Sequence, residues 1–156
     1  MAIPEYCSQC SWLDDKMGAC LPPGKFLIFS YISYIPYLLI ILFIVLSLFS
    51  RHERQLKMTL LLISGYVIGD RILKNIIQSP RPQGSCKETF GLPSSHMTVI
   101  TLYAFELWLK SKKSQKMFLV LLVLTQGVAR VELKYHTSVQ VIAGIIFSLV
   151  YIMLFY

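Results

Sequence analysis

Phe26-Leu-Ile-Phe-Ser-Tyr-Ile-Ser-Tyr-Ile-Pro-Tyr-Leu-Leu-Ile-Ile-Leu-Phe-Ile-Val-Leu-Ser-Leu-Phe-Ser50 runs for 25 residues without a charged side chain. A helix needs about 20 such residues to cross the hydrocarbon core of a bilayer. The run begins too late and is too long for a cleaved signal peptide. The rest of the chain agrees with a membrane reading. Of 156 residues, 55% are hydrophobic and 15% charged, with a mean hydropathy of +0.60. Soluble domains run at about 45–50% apolar and about 25% charged. Disorder, a small secreted disulfide scaffold and an ordinary soluble enzyme are excluded by that shift.

Working outward, residues 1–25 are a polar head holding Cys7, Cys10 and Cys20. After the apolar run comes a charged loop, 51–57, and a second apolar stretch from Met58 to about Ile77 that carries Asp70, Arg71 and Lys74 near its end. Charges at membrane depth are costly and read as functional; at the water interface they are ordinary. A polar loop, 79–95, leads to an apolar stretch over 97–109. A basic loop, 110–116, precedes apolar stretches over 117–128 and 138–156. The expected fold is therefore all-α: a polytopic membrane bundle of about five transmembrane helices, 26–156, preceded by the head.

The loops 51–57 and 110–116 hold Arg51, Arg54, Lys57, Lys110, Lys112, Lys113 and Lys116, seven of the fifteen basic residues. Short basic loops stay cytosolic, and five spans put both on one side. The head and the loops 79–95 and 129–137 then face away from the cytosol. All four cysteines fall there, where an oxidising compartment permits two disulfides in three possible pairings. The Cys7-x-x-Cys10 spacing is alternatively the start of a zinc site. The net charge of +7 is scattered between apolar runs, which points to membrane orientation and lipid phosphate rather than nucleic acid.

Three polar elements sit at helix ends on the non-cytosolic side. Lys74-Asn-Ile-Ile-Gln-Ser-Pro-Arg81-Pro82 brings an ammonium and a guanidinium to one mouth, because Pro80 and Pro82 force the chain out of the helix. That pair suits a phosphate dianion, or simply a basic helix end among headgroups. Pro93-Ser94-Ser95-His96 opens an apolar helix. Either Ser serves as an N-cap, and the helix start is also an anion site with a proton carrier beside it. Arg130-Val-Glu-Leu-Lys-Tyr-His136-Thr-Ser-Val-Gln140 adds a cation and a second imidazole. Gln140, one turn on, is placed to reach that imidazole and orient it.

The ordered triplet Lys74-x6-Arg81-Pro82, Pro93-Ser94-Ser95-His96 and Arg130-x5-His136 resembles the three signature motifs of the type 2 phosphatidic acid phosphatase superfamily. With its surrounding helices the resemblance covers roughly 58–156, and residues 1–57 carry no motif. Three positions depart from the family pattern: Ser95 stands where Gly is usual, Ala129 where Ser is usual, and Gln140 where a carboxylate is usual. The Pro-Ser-Ser-His form and Gln140 are similar to the dolichyldiphosphatase branch. That resemblance implies a type 2 phosphatidic acid phosphatase-like fold and an enzyme without a metal or other cofactor. It implies hydrolysis of dolichyl diphosphate in the endoplasmic reticulum membrane, facing the lumen, recycling the lipid carrier for protein N-glycosylation. His136 would form a phosphohistidine and His96 would serve as acid and base. Lys74, Arg81, Arg130, Ser94 and Ser95 would bind phosphate, and Gln140 would orient His136. The expected alternatives are a phosphatase for another lipid phosphate, such as phosphatidate, and a catalytically inactive lipid-binding homologue.

Overall fold

The computed structural model describes residues 4–50, with Ser50 as backbone only, and 53–155. Arg51 and His52 of the expected basic loop lie outside the described residues. Among the described residues there is no strand. The head forms a 3-10 turn, Glu5–Gln9, and a short helix α1, Trp12–Met17. Ser11 caps α1 by accepting from the Asp14 N–H at 3.1 Å, and Gly18 closes it in the left-handed conformation, φ +65°, where a side chain would be strained.

Five longer helices follow. They are α2, Ile28–Ser50; α3, Glu53–Val67, continuing through a π-helical stretch Ile68–Leu73 into a final turn α4, Lys74–Ile77; α5, Ser95–Trp108; α6, Lys113–Glu132; and α7, Ser138–Phe155. Each coincides with one of the five apolar stretches. Two of them, Ile28–Phe49 and Ser138–Phe155, are long and apolar enough to be candidate membrane spans, with mean hydropathies of 2.5 and 2.3. Their outer faces are stripes of exposed side chains: Leu38, Ile41, Leu42, Val45, Leu48 and Phe49 on α2, and Val139, Ile142, Ile146, Val150 and Met153 on α7. Such stripes are anomalous in water and ordinary against lipid.

Helix α5 is the pillar of the bundle, packed against α2, α3, α6 and α7. Met97, Val99, Ile100 and Leu102 are all buried, as expected of a helix that is apolar all round. Its 14 residues rise about 21 Å at 1.5 Å each, less than the roughly 30 Å of a bilayer core. Close approach substitutes for a hydrophobic driving force between helices in lipid. At Gly144 of α7 a Cβ would stand 2.8 Å from the Ser94 carbonyl, so the glycine lets α7 rest against the start of α5.

Helix boundaries depart from the apolar pattern in two places that matter. Helix α3 begins at Glu53, so most of the charged loop is helical. Helix α6 spans Lys113–Glu132 rather than ending near residue 128. Its start is held by the Gln115 side chain, which accepts from the Lys112 N–H at 2.8 Å. Its end is fixed by Glu132, which pairs with Lys25 of the head at 2.5 Å. Arg130 therefore sits on the last helical turn and not in a loop, and the connection to α7 shrinks to 133–137.

The cysteines pair as Cys7–Cys86 and Cys10–Cys20, and among the described residues none is free. Of the pairings open to the four cysteines, the fold adopts this one. Cys20 and Cys86 pack with Leu133 and Tyr135 into a small core of their own, which seats the head over the ends of α4, α5 and α6.

Candidate active site

Three chain turns converge beneath the head. The π-helical stretch and α4 present Asp70 and Lys74 at i, i+4. The Lys74 side chain is only 8% exposed, and its ammonium is paired with Asp70 and donates to Ser95 Oγ at 2.8 Å. Ser95 in turn donates to Asp70 Oδ1 at 2.6 Å. A buried charge needs this kind of partner set. The helix stops at Gln78, φ +53°, and the loop carrying Pro80 and Pro82 delivers Arg81. Arg81 is locked by donating to the carbonyls of Thr89, 2.8 Å, and Tyr135, 2.6 Å. Burial lowers its pKa to about 10, so it stays charged at neutral pH.

His136 lies in the connection between α6 and α7. Its Nδ1 is 2.9 Å from the Gly91 carbonyl. A carbonyl can only accept, so Nδ1 carries the proton and Nε2 the lone pair. Nε2 is 3.4 Å from Arg81 Nη1. Burial pushes the His136 pKa well below its ordinary value, and the positive charges of Arg81 and Arg130 push it the same way. The Arg130 carbonyl accepts from the N–H of both Tyr135, 3.1 Å, and His136, 3.2 Å. The Arg130 guanidinium is itself buried, donating through Nη1 to the Gly18 carbonyl at 2.6 Å and to Ser33 Oγ at 3.0 Å. It stacks over the Tyr135 ring at 4.7 Å. His96 is the second residue of α5; its Nε2 is 2.9 Å from the Met17 carbonyl, and its ring meets Tyr37 edge-on at 5.1 Å.

Lys74, Arg81, Ser95, His96, Arg130 and His136 line a single cavity of about 710 Å³. Six of the eight residues expected from sequence are thus brought together. The other two are not. Ser94 is fully buried, its hydroxyl has no partner, and its N–H is already given to the Gln140 carbonyl at 3.1 Å. It does not line the cavity, and its N–H is not free for an anion. Gln140 turns away from the imidazole. Its Oε1 accepts from the Thr137 N–H at 3.2 Å, and the Gln140 N–H donates to Thr137 Oγ1 at 3.3 Å, which is a capping box at the start of α7. Its Nε2 donates to Pro80 O at 2.7 Å and Ser79 Oγ at 3.2 Å. The expected direct contact with His136 is corrected accordingly: Gly91 supplies it.

Other cavity residues were not singled out from sequence as site residues. Asp70 was legible only as a charge at depth, though its i, i+4 spacing to Lys74 carried the pairing signal. Tyr37, Lys87 and the head residues Asp15 and Lys16 also line the cavity and gave no signal. Lys87 donates to the Lys16 carbonyl at 3.0 Å, and burial first, then Arg81 and Arg130, lower its pKa to about 8.

Residues 54–156 match the PAP2 superfamily. The chain belongs to the PAP2 superfamily. No curated protein and no solved structure matches it. The PAP2 match takes in every motif residue and leaves the head outside. Members of the superfamily are phosphatases, and membership directs this chain to lipid phosphates. The PAP2 cavity gathers cations, the N-terminus of α5 and two imidazoles.

Proposed function

We propose that this PAP2 protein hydrolyses a lipid diphosphate, with dolichyl diphosphate as the substrate, through a phosphohistidine on His136. The observation that carries the reading is His136 itself: Nδ1–H is spent on Gly91, and the Nε2 lone pair is left at a cavity wall shared with Arg81. Nε2 attacks the terminal phosphorus, forming a P–N bond as the P–O bond to dolichyl phosphate breaks. His96, as the imidazolium with a second proton on Nδ1, gives that proton to the departing oxygen, then takes one from the water that cleaves the P–N bond and releases phosphate. Lys74, Arg81 and Arg130 bind the phosphoryl oxygens as charge shifts onto them, helped by Ser95 and the first N–H groups of α5. Gln140 acts on the loop that carries Gly91 rather than on the imidazole.

The charge of the cavity favours a diphosphate. Lys16, Arg71, Lys74, Arg81, Lys87 and Arg130 line it against Asp15, Asp70 and Glu88, an excess that suits more negative charge than one phosphate brings. In this reading the five longer helices all cross the membrane, with the head and the cavity on the lumenal face of the endoplasmic reticulum. The reaction then returns the carrier lipid for protein N-glycosylation. The test is phosphate release by purified protein in detergent with EDTA, from dolichyl diphosphate and from phosphatidate, beside His136→Ala. Release that survives EDTA, requires His136 and prefers the diphosphate is expected. Preference for phosphatidate would move the substrate and keep the chemistry; equal activity in His136→Ala would overturn the mechanism.

A further inference from the structure

The head lies outside the PAP2 match, yet it touches two buried polar groups of the site, His96 and Arg130. The Met17 carbonyl takes the Nε2–H of His96 and the Gly18 carbonyl takes Nη1–H of Arg130. Gly18, which carries the second of these consecutive carbonyls, adopts φ +65°. A Cβ on Gly18 would stand 2.7 Å from Arg130 Nη2, so the position has no room for a side chain. The turn is pinned twice: Cys10–Cys20 closes a ring around it, and Cys7–Cys86 ties it to the loop between α4 and α5. Tyr6 adds a bond to the Gly84 carbonyl at 2.6 Å.

We infer that the Met17–Gly18 turn is a positioning element of the active site: it sets the tautomer of His96 and the attitude of Arg130, and the disulfide-pinned head exists to hold it there. The inference rests on the phosphatase reading for its chemistry. The head also lines the cavity, through Asp15 and Lys16. The backbone carbonyl on His96 repeats the way Gly91 holds His136, fixing one ring nitrogen so that the other handles the chemistry. Arg130 is fixed through Nη1, by the Gly18 carbonyl and Ser33 Oγ.

The test uses the full chain in detergent: wild type, Gly18→Ala, and Cys10→Ser with Cys20→Ser, each checked for native helix content by circular dichroism. Two substrates are compared by kcat/KM, which covers steps through departure of the leaving group. Octyl phosphate expels an alkoxide that needs a proton; 4-nitrophenyl phosphate expels a phenolate that does not. Both variants are expected to lose about 100-fold more on octyl phosphate than on 4-nitrophenyl phosphate, the size of a lost general acid. Dissociation constants for orthovanadate are expected to rise about tenfold or more in both, as Arg130 loses its setting. Equal losses on both substrates, no change, or a gain in activity would overturn the inference, the last by showing that the head is a plug. Wild-type protein that turns over neither of these substrates nor dolichyl diphosphate nor phosphatidate would end the phosphatase reading. Weakened vanadate binding in the variants would still carry the coupling of head to site, and unchanged binding would end that too.

Discussion

Gly91 and Gln140 make the sharpest test of how the proposed nucleophile is held. A Cβ at Gly91 would lie 2.4 Å from Gln140 Oε1 and 2.6 Å from both Cδ and Nε2. The amide is buried and must leave its place to make room. It would give up the bonds from Thr137 N–H and to Ser79 and Pro80. At about 1 kcal/mol each, Gly91→Ala should destabilise the protein by about 3 kcal/mol. Gln140→Ala removes the same three bonds and should also cost about 3 kcal/mol. The double variant has no amide left to displace, so it should cost about 3 kcal/mol rather than the roughly 6 of independent sites, a coupling of about 3 kcal/mol. Unfolding by SDS titration in mixed micelles measures all four proteins. Turnover follows the same cycle, because the displaced loop carries the carbonyl that orients His136. A neutral Gly91→Ala, or a double variant whose losses add, would refute this account of the site.

Three further predictions concern charge. Burial, then Arg81 and Arg130, hold the His136 pKa below its ordinary value, so the neutral nucleophile persists into acid and the acid limb of kcat/KM lies below about pH 6.5; Arg81→Gln should move that limb upward, and a pH profile that stays put or moves down would sink the assignment. The same depression means the unfolded chain binds a proton that the folded one refuses, so His136's contribution to stability is lost as pH falls below about 6.5, visible as a wild-type unfolding midpoint that drops in acid and drops less in His136→Ala. Asp70→Asn leaves the Lys74 ammonium buried beside a neutral amide and should cost about 3–5 kcal/mol, with Asp70→Asn/Lys74→Met recovering most of it; a mild single variant would show the pair to be solvated.

What could be read in advance was the set of charged and polar residues that an apolar chain keeps at its helix ends. Lys74, Arg81, Ser95, His96, Arg130 and His136 stand out against the hydropathy, and the folded chain gathers all six around one cavity. Gln140 was misread because a four-residue spacing from His136 was weighed and the Thr137-x-x-Gln140 capping pattern was not; both fit the letters, and only the hydrogen bonds choose. The ends of α3 and α6 were missed because charged residues at a helix end look like loop when hydropathy alone is followed. The role of the head was illegible for a deeper reason. Met17 and Gly18 act through backbone carbonyls, which every residue has, and their aim depends on one left-handed turn and two covalent ties whose pairing the sequence left open.

The shared carbonyl of Arg130 has a consequence for the speed of the chemistry. Cation and imidazole are joined by a clamped five-residue bridge, with one oxygen receiving the N–H of residues 135 and 136 and a capping box closing the far end. In the proposed turnover, which makes and breaks a bond at His136 Nε2, the surrounding dipoles have little to rearrange. Solvent would have to reorient around a developing phosphohistidine; this bridge is already oriented when the chain has folded. Lengthening it by even one glycine would restore that reorganisation as a barrier while leaving every side chain of the site in the sequence.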